Sequence, residues 1–212
     1  MRRRHCQGDS STKDLLLRSL ARGATRKEVQ RLLRTARRPP SVALRTRAIL
    51  MLFAVYGLRS GEVSRLQLKD FDWRRETFAV QHSKKGGSQR YPLQRATGDA
   101  ILEYLTKARP RCADRHLFVT LRPPYRPIGR SVMWYLTSTR MKAARIHCRR
   151  TGPHSLRHAC ATRLLQKGAS FKKIGDFLGV REIFQKRSGQ VGGNKRVDFF
   201  EALKRMDRTA AV

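Results

Sequence analysis

Hydrophobic residues near the start of the chain recur at helical spacing between recognisable helix boundaries. A capping box at Thr25-Arg-Lys-Glu28 precedes apolar residues at that spacing and predicts a first helix, which Pro39-Pro40 ends. Residues 42–56 are apolar on most sides, so the pattern predicts a central, buried helix there. Ser41 is its predicted cap, and Gly57 closes it.

The hydrophobic period changes between residues 68 and 93, after a short polar helix that is predicted to begin at Ser60. Short alternating runs in this region predict three antiparallel strands, with a hairpin turn at Gly86-Gly87. Helical spacing returns at residues 96–108 and again near residues 131–145.

Two more helices are predicted in the second half of the chain. One follows Pro153 and runs to about Lys167, where Gly168 stops it. Ser170 caps the next helix, which ends at Leu178-Gly179. The whole pattern predicts an α+β fold that is mostly helical and carries a small three-stranded antiparallel sheet.

The same pattern divides the chain into three parts. Residues 1–22 are polar and basic and are interpreted as an N-terminal arm or the remnant of something larger. Residues 23–179 carry the periodic elements and form one predicted domain. Residues 180–212 are rich in glycine and charge without a clear apolar period, and we interpret them as a divergent tail.

The charge of the chain is strongly one-sided. It has 212 residues, with 48 Lys and Arg against 15 Asp and Glu, and a formal net charge of +33 at pH 7. Repulsion among so many like charges disfavours a compact protein unless a polyanion binds to it. Double-stranded DNA is therefore the expected partner, while an RNA-binding or ribosome-associated protein is an option that rests on charge alone.

Composition also indicates where the protein is located and which cofactors it is expected to lack. No apolar stretch approaches the roughly 20 residues that span a bilayer, and Arg2-Arg3-Arg4 is not followed by an apolar segment as in a secretory signal. We expect a cytoplasmic protein, associated with the nucleoid when bound to DNA. The four cysteines are scattered without a Cys-x-x-Cys pair, which favours neither disulfides nor a zinc site. No membrane partner, small-molecule substrate, metal or cofactor is expected.

Three short motifs contain residues suited to gripping a phosphodiester. Arg59 lies between two glycines at a helix junction, and His154 and Arg157 share one helix face at i and i+3. Lys84 lies on the predicted hairpin. Each residue also has an ordinary explanation: a surface arginine, a histidine that caps its own helix, a lysine that only touches DNA backbone.

Taken in order, the three motifs resemble the tyrosine recombinase (phage integrase) family. The segment YGLRSGEVSRLQLKDFDW is similar to its first arginine box, and SKKGGSQRYPL is similar to its lysine hairpin. The segment GPHSLRHACATRLLQKGASFKKIGDFLG is similar to its His-x-x-Arg box and the next helix. The resemblance implies the family's mostly helical catalytic domain with a small antiparallel sheet.

The resemblance also implies roles for the four residues. Arg59 and Arg157 would clamp the scissile phosphate, Lys84 would be the general acid, and His154 would be an accessory acid or base. In this family a tyrosine attacks the phosphate and forms a 3′-phosphotyrosyl intermediate, so neither metal nor ATP is needed. The implied activity is DNA integration and recombination, and other recombinase protomers are implied as further partners.

The sequence departs from the family after Gly179. Family members continue with a histidine and then reach the tyrosine, whereas here Val180 follows and all five tyrosines lie at or before Tyr135. We therefore expect a truncated member that lacks its nucleophile, and a frameshift near codon 180 is the simplest hypothesis. A tyrosine supplied by an intact recombinase remains an alternative.

The front of the chain departs from the family as well. Residues 1–22 are too few for the separate helical domain that wraps the far side of DNA in such recombinases. We expect weaker site specificity, with salt-sensitive binding kept through backbone phosphates. The competing interpretation is a non-catalytic basic DNA-binding or regulatory module whose arginines serve affinity only.

Overall fold

The fold is mostly helical with a three-stranded antiparallel sheet, as the sequence predicts. The computed structural model describes residues 24–34, 40–82, 87–146, 148 and 151–179. Lys84 and the predicted tail from Val180 onward lie outside the described residues. In chain order the elements are α1 (Arg26–Arg34), α2 (Pro40–Tyr56), α3 (Ser60–Arg65), a 3-10 turn (Leu68–Asp70), β1 (Phe71–Asp72), β2 (Thr77–Gln81), β3 (Ser88–Pro92), α4 (Arg95–Lys107), α5 (Arg130–Ala143), α6 (Pro153–Gln166) and α7 (Phe171–Phe177).

The first two helices begin in different ways. The capping box before α1 is formed, since the backbone N–H of Thr25 donates to Glu28 Oε2 at 2.7 Å and the Glu28 N–H donates to Thr25 Oγ1 at 3.3 Å. Helix α2 begins at Pro40, so the prediction that Ser41 caps this helix is wrong. Proline suits the first helical position because its fixed φ is already helical and its missing N–H would have no intrahelical partner.

Helix α2 is the centre of the fold. Most of its side chains are buried, and it packs against α1, α3, α4, α5 and α6. This explains why its sequence is apolar from Ala48 to Tyr56, since a helix with neighbours on most faces has little solvent face to make polar. No helix among the described residues is long and apolar enough to cross a lipid bilayer.

A row of aromatic rings connects the sheet to the end of the described chain. Phe71 pairs with Phe78 and Phe78 with Tyr91 across the three strands, and their rings stack at 5.3 and 5.5 Å. Tyr56 meets Phe78 edge-on at 4.9 Å, and Phe177 of α7 meets Tyr91 edge-on at 5.4 Å. The sheet is thereby fixed against the carboxyl ends of both α2 and α7.

The end of α2 lies directly against the segment that follows α7. Gly57 closes α2 with φ of +63°, and a Cβ placed there would come within 2.7 Å of Leu178 Cδ2. Only glycine combines that backbone conformation with so close an approach. The junction between α2 and α3 is therefore held beside α6 and the carboxyl end of α7.

Truncation of Phe78 tests the aromatic row. We expect Phe78→Ala to lower the free energy of unfolding by about 3–5 kcal/mol, because a fully buried ring is replaced by a cavity. Urea titration followed by circular dichroism measures the change. Trp73→Ala is the control: its ring also stacks on Phe71 but is 38% exposed, so about 1 kcal/mol is expected. Equal losses would contradict this account of the core.

Candidate active site

Arg157 joins three parts of the chain through one buried guanidinium. The side chain comes from the second turn of α6, and its Nη1 donates to Gly57 O at 2.5 Å while its Nη2 donates to Leu178 O at 2.5 Å. Burial, followed by the nearby charge of Arg59, lowers the pKa of Arg157 from its ordinary value. A guanidinium nevertheless stays protonated in proteins and carries five N–H donors, so donors beyond these two remain for an anion.

Arg59 reaches the same place from the amino end of α3. Its Nη1 donates to Glu62 Oε1 at 2.8 Å, and its Nη2 donates to Gly179 O at 3.3 Å. The side chain is 44% exposed, in contrast to that of Arg157. Since Leu178 and Gly179 are consecutive, the two arginines converge on one short stretch of backbone, with Arg59 facing solvent.

Glu62 is the buried acid that holds Arg59. Its carboxylate is 1% exposed and accepts the Arg59 backbone N–H at 2.8 Å as well as the guanidinium. Burial by itself would raise the pKa of Glu62, but hydrogen bonds from the Arg59 backbone, from His82 and from the Arg59 side chain outweigh it and lower the pKa. The carboxylate is therefore ionised and fixes Arg59 in both backbone and side chain.

His82 and Gln89 extend this network to α7. His82 Nδ1 lies 2.8 Å from Glu62 Oε1, and its Nε2 lies 3.0 Å from Gln89 Oε1. Gln89 Nε2 donates to Asp176 O and Phe177 O at 3.2 and 3.3 Å. The strands that flank the Lys84 segment are thus attached to the acid that holds Arg59 and to the helix end that accepts from both arginines.

His154 lies on the exposed side of the first turn of α6. Gly152 holds the N-cap position with φ of +105°, Pro153 follows, and His154 comes next. The His154 ring meets the ring of His158 edge-on at a centroid distance of 4.5 Å. His154 is exposed and Arg157 is buried, so the two residues present a ring and a guanidinium at different depths of one helix turn.

The predicted residues are brought together in part. Arg59 and Arg157 converge, His154 lies one turn from Arg157, and Lys84 lies outside the described residues. Sequence reasoning did not single out Glu62 or His82. Glu62 carried a signal, because a glutamate three residues after a helix boundary is the capping-box position. His82 stands two residues before Lys84, but nothing in the sequence indicates its partners.

All five tyrosines of the chain lie within the described residues. The hydroxyl of Tyr56 donates to Pro92 O at 2.9 Å and that of Tyr91 to Phe177 O at 2.7 Å. Burial raises the pKa of both Tyr91 and Tyr104 above the ordinary value, which disfavours the phenolate. Tyr125 and Tyr135 are exposed, on the loop before α5 and on α5 itself.

The described residues offer no obvious metal centre. Among them, no three His, Cys, Asp or Glu side chains come together as a metal ion would require. The guanidinium groups and imidazoles of the described site are hydrogen-bond donors, which suits the binding of an anion.

Comparisons with known proteins identify the family of this chain. The model of the phage integrase family matches residues 23–184, and the chain belongs to that family. The Sinorhizobium fredii protein y4gC, which carries an integrase/recombinase name, is 44% identical over 141 residues, covering 66% of this chain and 72% of y4gC. Another such protein from that organism, y4rA, is 36% identical over 79% of this chain, which spans only 41% of y4rA.

Solved structures share the fold. The catalytic core of lambda integrase superposes with a TM-score of 0.57 at 21% identity, over 74% of this chain and 94% of that core. The XerH recombinase bound to its difH substrate superposes with a TM-score of 0.64 at 19% identity, over 91% of this chain and 55% of XerH. The match to an isolated catalytic core over nearly its full length agrees with the family assignment.

Replacing Glu62 tests its ionised state. We expect Glu62→Gln to lower the free energy of unfolding at pH 7 by about 2 kcal/mol, since a charged acceptor of several hydrogen bonds is lost. A carboxylate with a lowered folded pKa stabilises above its unfolded pKa of about 4.3 and loses that contribution as the pH falls further. The difference from the unchanged protein should therefore shrink between pH 5 and about pH 3.

Urea titrations at several pH values measure this difference. Glu103→Gln is the control, because Glu103 pairs with Lys107 and Arg47 at the surface and is expected to matter little. A Glu62→Gln deficit that stays constant with pH would show that the carboxylate is not the ionised group of the site.

Proposed function

We propose that this chain binds duplex DNA and seats one backbone phosphate between Arg59 and Arg157, as the DNA-gripping catalytic domain of a tyrosine recombinase. The convergence of the two arginines on Leu178 and Gly179 is the observation that carries the proposal. Arginine suits this task because its planar fork pairs with two phosphate oxygens. The net charge of +33 supports binding to a polyanion, and the XerH structure is of a recombinase bound to its DNA substrate.

The two arginines have different tasks in this proposal. Arg157 is buried and held by two carbonyls, so it supplies a fixed positive charge at the floor of the site. Arg59 is more exposed and supplies donors toward solvent, where DNA approaches. His154, exposed one turn before Arg157, is placed to donate to a non-bridging phosphate oxygen.

Lys84 completes the proposed set as the general acid. It would give a proton to the departing 5′ oxygen, as the resemblance implies, once a nucleophile attacks the phosphorus. The described residues nearest to Lys84 support the proposal, because the His82 N–H donates to Gly87 O at 2.9 Å and His82 contacts the acid that holds Arg59.

We propose further that this chain forms no covalent link to DNA by itself. The segment that carries the nucleophile in the family contains no tyrosine here, and the buried Tyr56, Tyr91 and Tyr104 are committed to the core. In this proposal an intact recombinase protomer supplies the attacking tyrosine. The proposed location is the cytoplasm, on the nucleoid when bound to DNA.

The salt dependence of DNA binding tests the proposed phosphate clamp, which is the pair of Arg59 and Arg157. We expect Arg59→Ala to weaken binding to a labelled duplex by about tenfold and to reduce the slope of log affinity against log salt by about 1, since one phosphate contact is lost. Fluorescence anisotropy over a range of salt concentrations measures both quantities.

Arg75→Ala is the matched control for this experiment. Arg75 also pairs with an acid three residues away, Asp72, but lies in the turn before β2, at the opposite end of that strand from His82. Both variants lose one charge. If they weaken binding equally, the arginines serve affinity only, and the chain is a basic DNA-binding module without an organised pocket.

A nicked suicide substrate tests the absence of a nucleophile. We expect no species in which protein stays attached to DNA on a denaturing gel, whether or not binding is tight. An intact recombinase run in parallel shows that the substrate can trap an adduct. An adduct formed by this chain alone would overturn the proposal, and peptide mapping would ask whether it lies on Tyr125 or Tyr135, the exposed tyrosines.

A further inference from the structure

The contacts of His82 place an imidazole beside the arginine site. The ring is 15% exposed and lies at the end of β2, where Nδ1 faces Glu62 Oε1 and Nε2 faces Gln89 Oε1. It also lies against Gly179, because a Cβ on that glycine would come within 2.7 Å of His82 Cε1. One ring thus touches the residue that holds Arg59 and the residue that accepts from Arg59.

The direction of the hydrogen bonds follows from the Gln89 amide. Its nitrogen faces two backbone carbonyls, Asp176 O and Phe177 O, which can only accept. The amide oxygen must therefore face His82, and His82 Nε2 must donate to it. On the other side Nδ1 faces an ionised carboxylate, which also only accepts. Both ring nitrogens of His82 therefore face acceptors.

We propose that His82 is a positioning residue of the phosphate clamp formed by Arg59 and Arg157, which orients Arg59 through Glu62 and ties the end of β2 to the same carboxylate. This inference rests on the proposed function. Arg59 Nη1 and His82 Nδ1 donate to the same oxygen, Glu62 Oε1, both at 2.8 Å. Without the imidazole, the described contacts of Glu62 come from Arg59 alone, and the end of β2 loses this attachment to the site.

The buried carboxylate explains why this position needs a donor. Among the described residues, Glu62 receives two hydrogen bonds from Arg59 and one from His82, which lies on another element. Of these described bonds, the one from His82 is independent of Arg59. It holds Glu62 in place from a second element, so the effect of His82 should be transmitted to DNA through Arg59.

Two amide substitutions separate the contacts of His82. An asparagine at this position places an N–H close to where Nδ1 stands, whereas a glutamine places one close to Nε2. We expect His82→Asn to keep the bond to Glu62 and to bind a labelled duplex within about twofold of the unchanged protein. We expect His82→Gln and His82→Ala to bind about fivefold more weakly. Equal weakening by Asn and Gln would overturn the proposal.

A double-mutant cycle with Arg59 shows whether His82 acts through it. We expect His82→Ala to change affinity by less than about twofold when Arg59 is already alanine, because the residue it positions is gone. Effects that multiply independently would overturn the proposal. Circular dichroism at the assay temperature checks that each variant is folded, and the comparison of Asn with Gln does not depend on His82→Ala.

His116 provides the matched control. Its Nδ1 also lies 2.8 Å from a carboxylate oxygen, that of Asp114, but it belongs to the loop after α4. We expect His116→Ala to leave affinity unchanged and to show no coupling to Arg59. Coupling of similar size at His116 would mean that loss of any histidine–carboxylate contact has the same effect, and the proposal would fail.

The same titrations distinguish this inference from the function on which it rests. If Arg59→Ala and Arg75→Ala weaken binding equally, the organised phosphate site fails, and His82 has no clamp to position. If those two arginines differ as expected while the His82 variants do not separate, the phosphate site stands and the role of His82 alone is refuted.

Discussion

The hydrogen bonds of the Arg157 guanidinium are the constraint on which the rest of the site depends. A buried charge is costly unless it is fully hydrogen-bonded. Here the acceptors are Gly57 O and Leu178 O, which lie at the carboxyl ends of α2 and α7. Helix ends leave carbonyls without intrahelical partners and carry partial negative charge, so both features favour a guanidinium. One side chain therefore joins three helices and also gives the site its fixed positive charge.

Arg59 also needs a partner for its positive charge, and the buried carboxylate of Glu62 provides it. Arg59, Arg157 and His82 lie close together in this site, in a chain whose net charge is already +33. Glu62 lies among them, contacts Arg59 and His82 directly, and is buried enough that its attraction is only weakly screened. Two arginines can therefore lie side by side in a basic protein, because the Glu62 carboxylate and the carbonyls at two helix ends stabilise their charges.

The sequence predicts the helices and strands better than the contacts between them. Periodicity identifies the central helix, the strands and the two helices after Pro153, because each depends on its own local pattern. It misplaces the start of α2, because Ser41 has a side chain typical of a cap while Pro40 already begins the helix. Arg59, His154 and Arg157 were predicted from motifs. The contacts of His82 with Glu62 and Gln89 join distant parts of the chain, and no local pattern encodes them.

The contact of Arg59 with the Gly179 carbonyl shows which part of the sequence DNA binding would need in the proposed function, as distinct from DNA cleavage. The motifs that resemble the family run to Gly179, and the Gly179 carbonyl is the last described acceptor of either arginine. A chain altered after Gly179 keeps every described contact of the clamp, whereas a change that removed Leu178 would take one of the two acceptors of Arg157. In the proposed function, the backbone that positions the two arginines is therefore separate in sequence from the segment that would carry the nucleophile. A domain of this kind would bind DNA even without its own nucleophile, because the described groups that position the arginines are two backbone carbonyls at helix ends, the Gly179 carbonyl and a buried carboxylate.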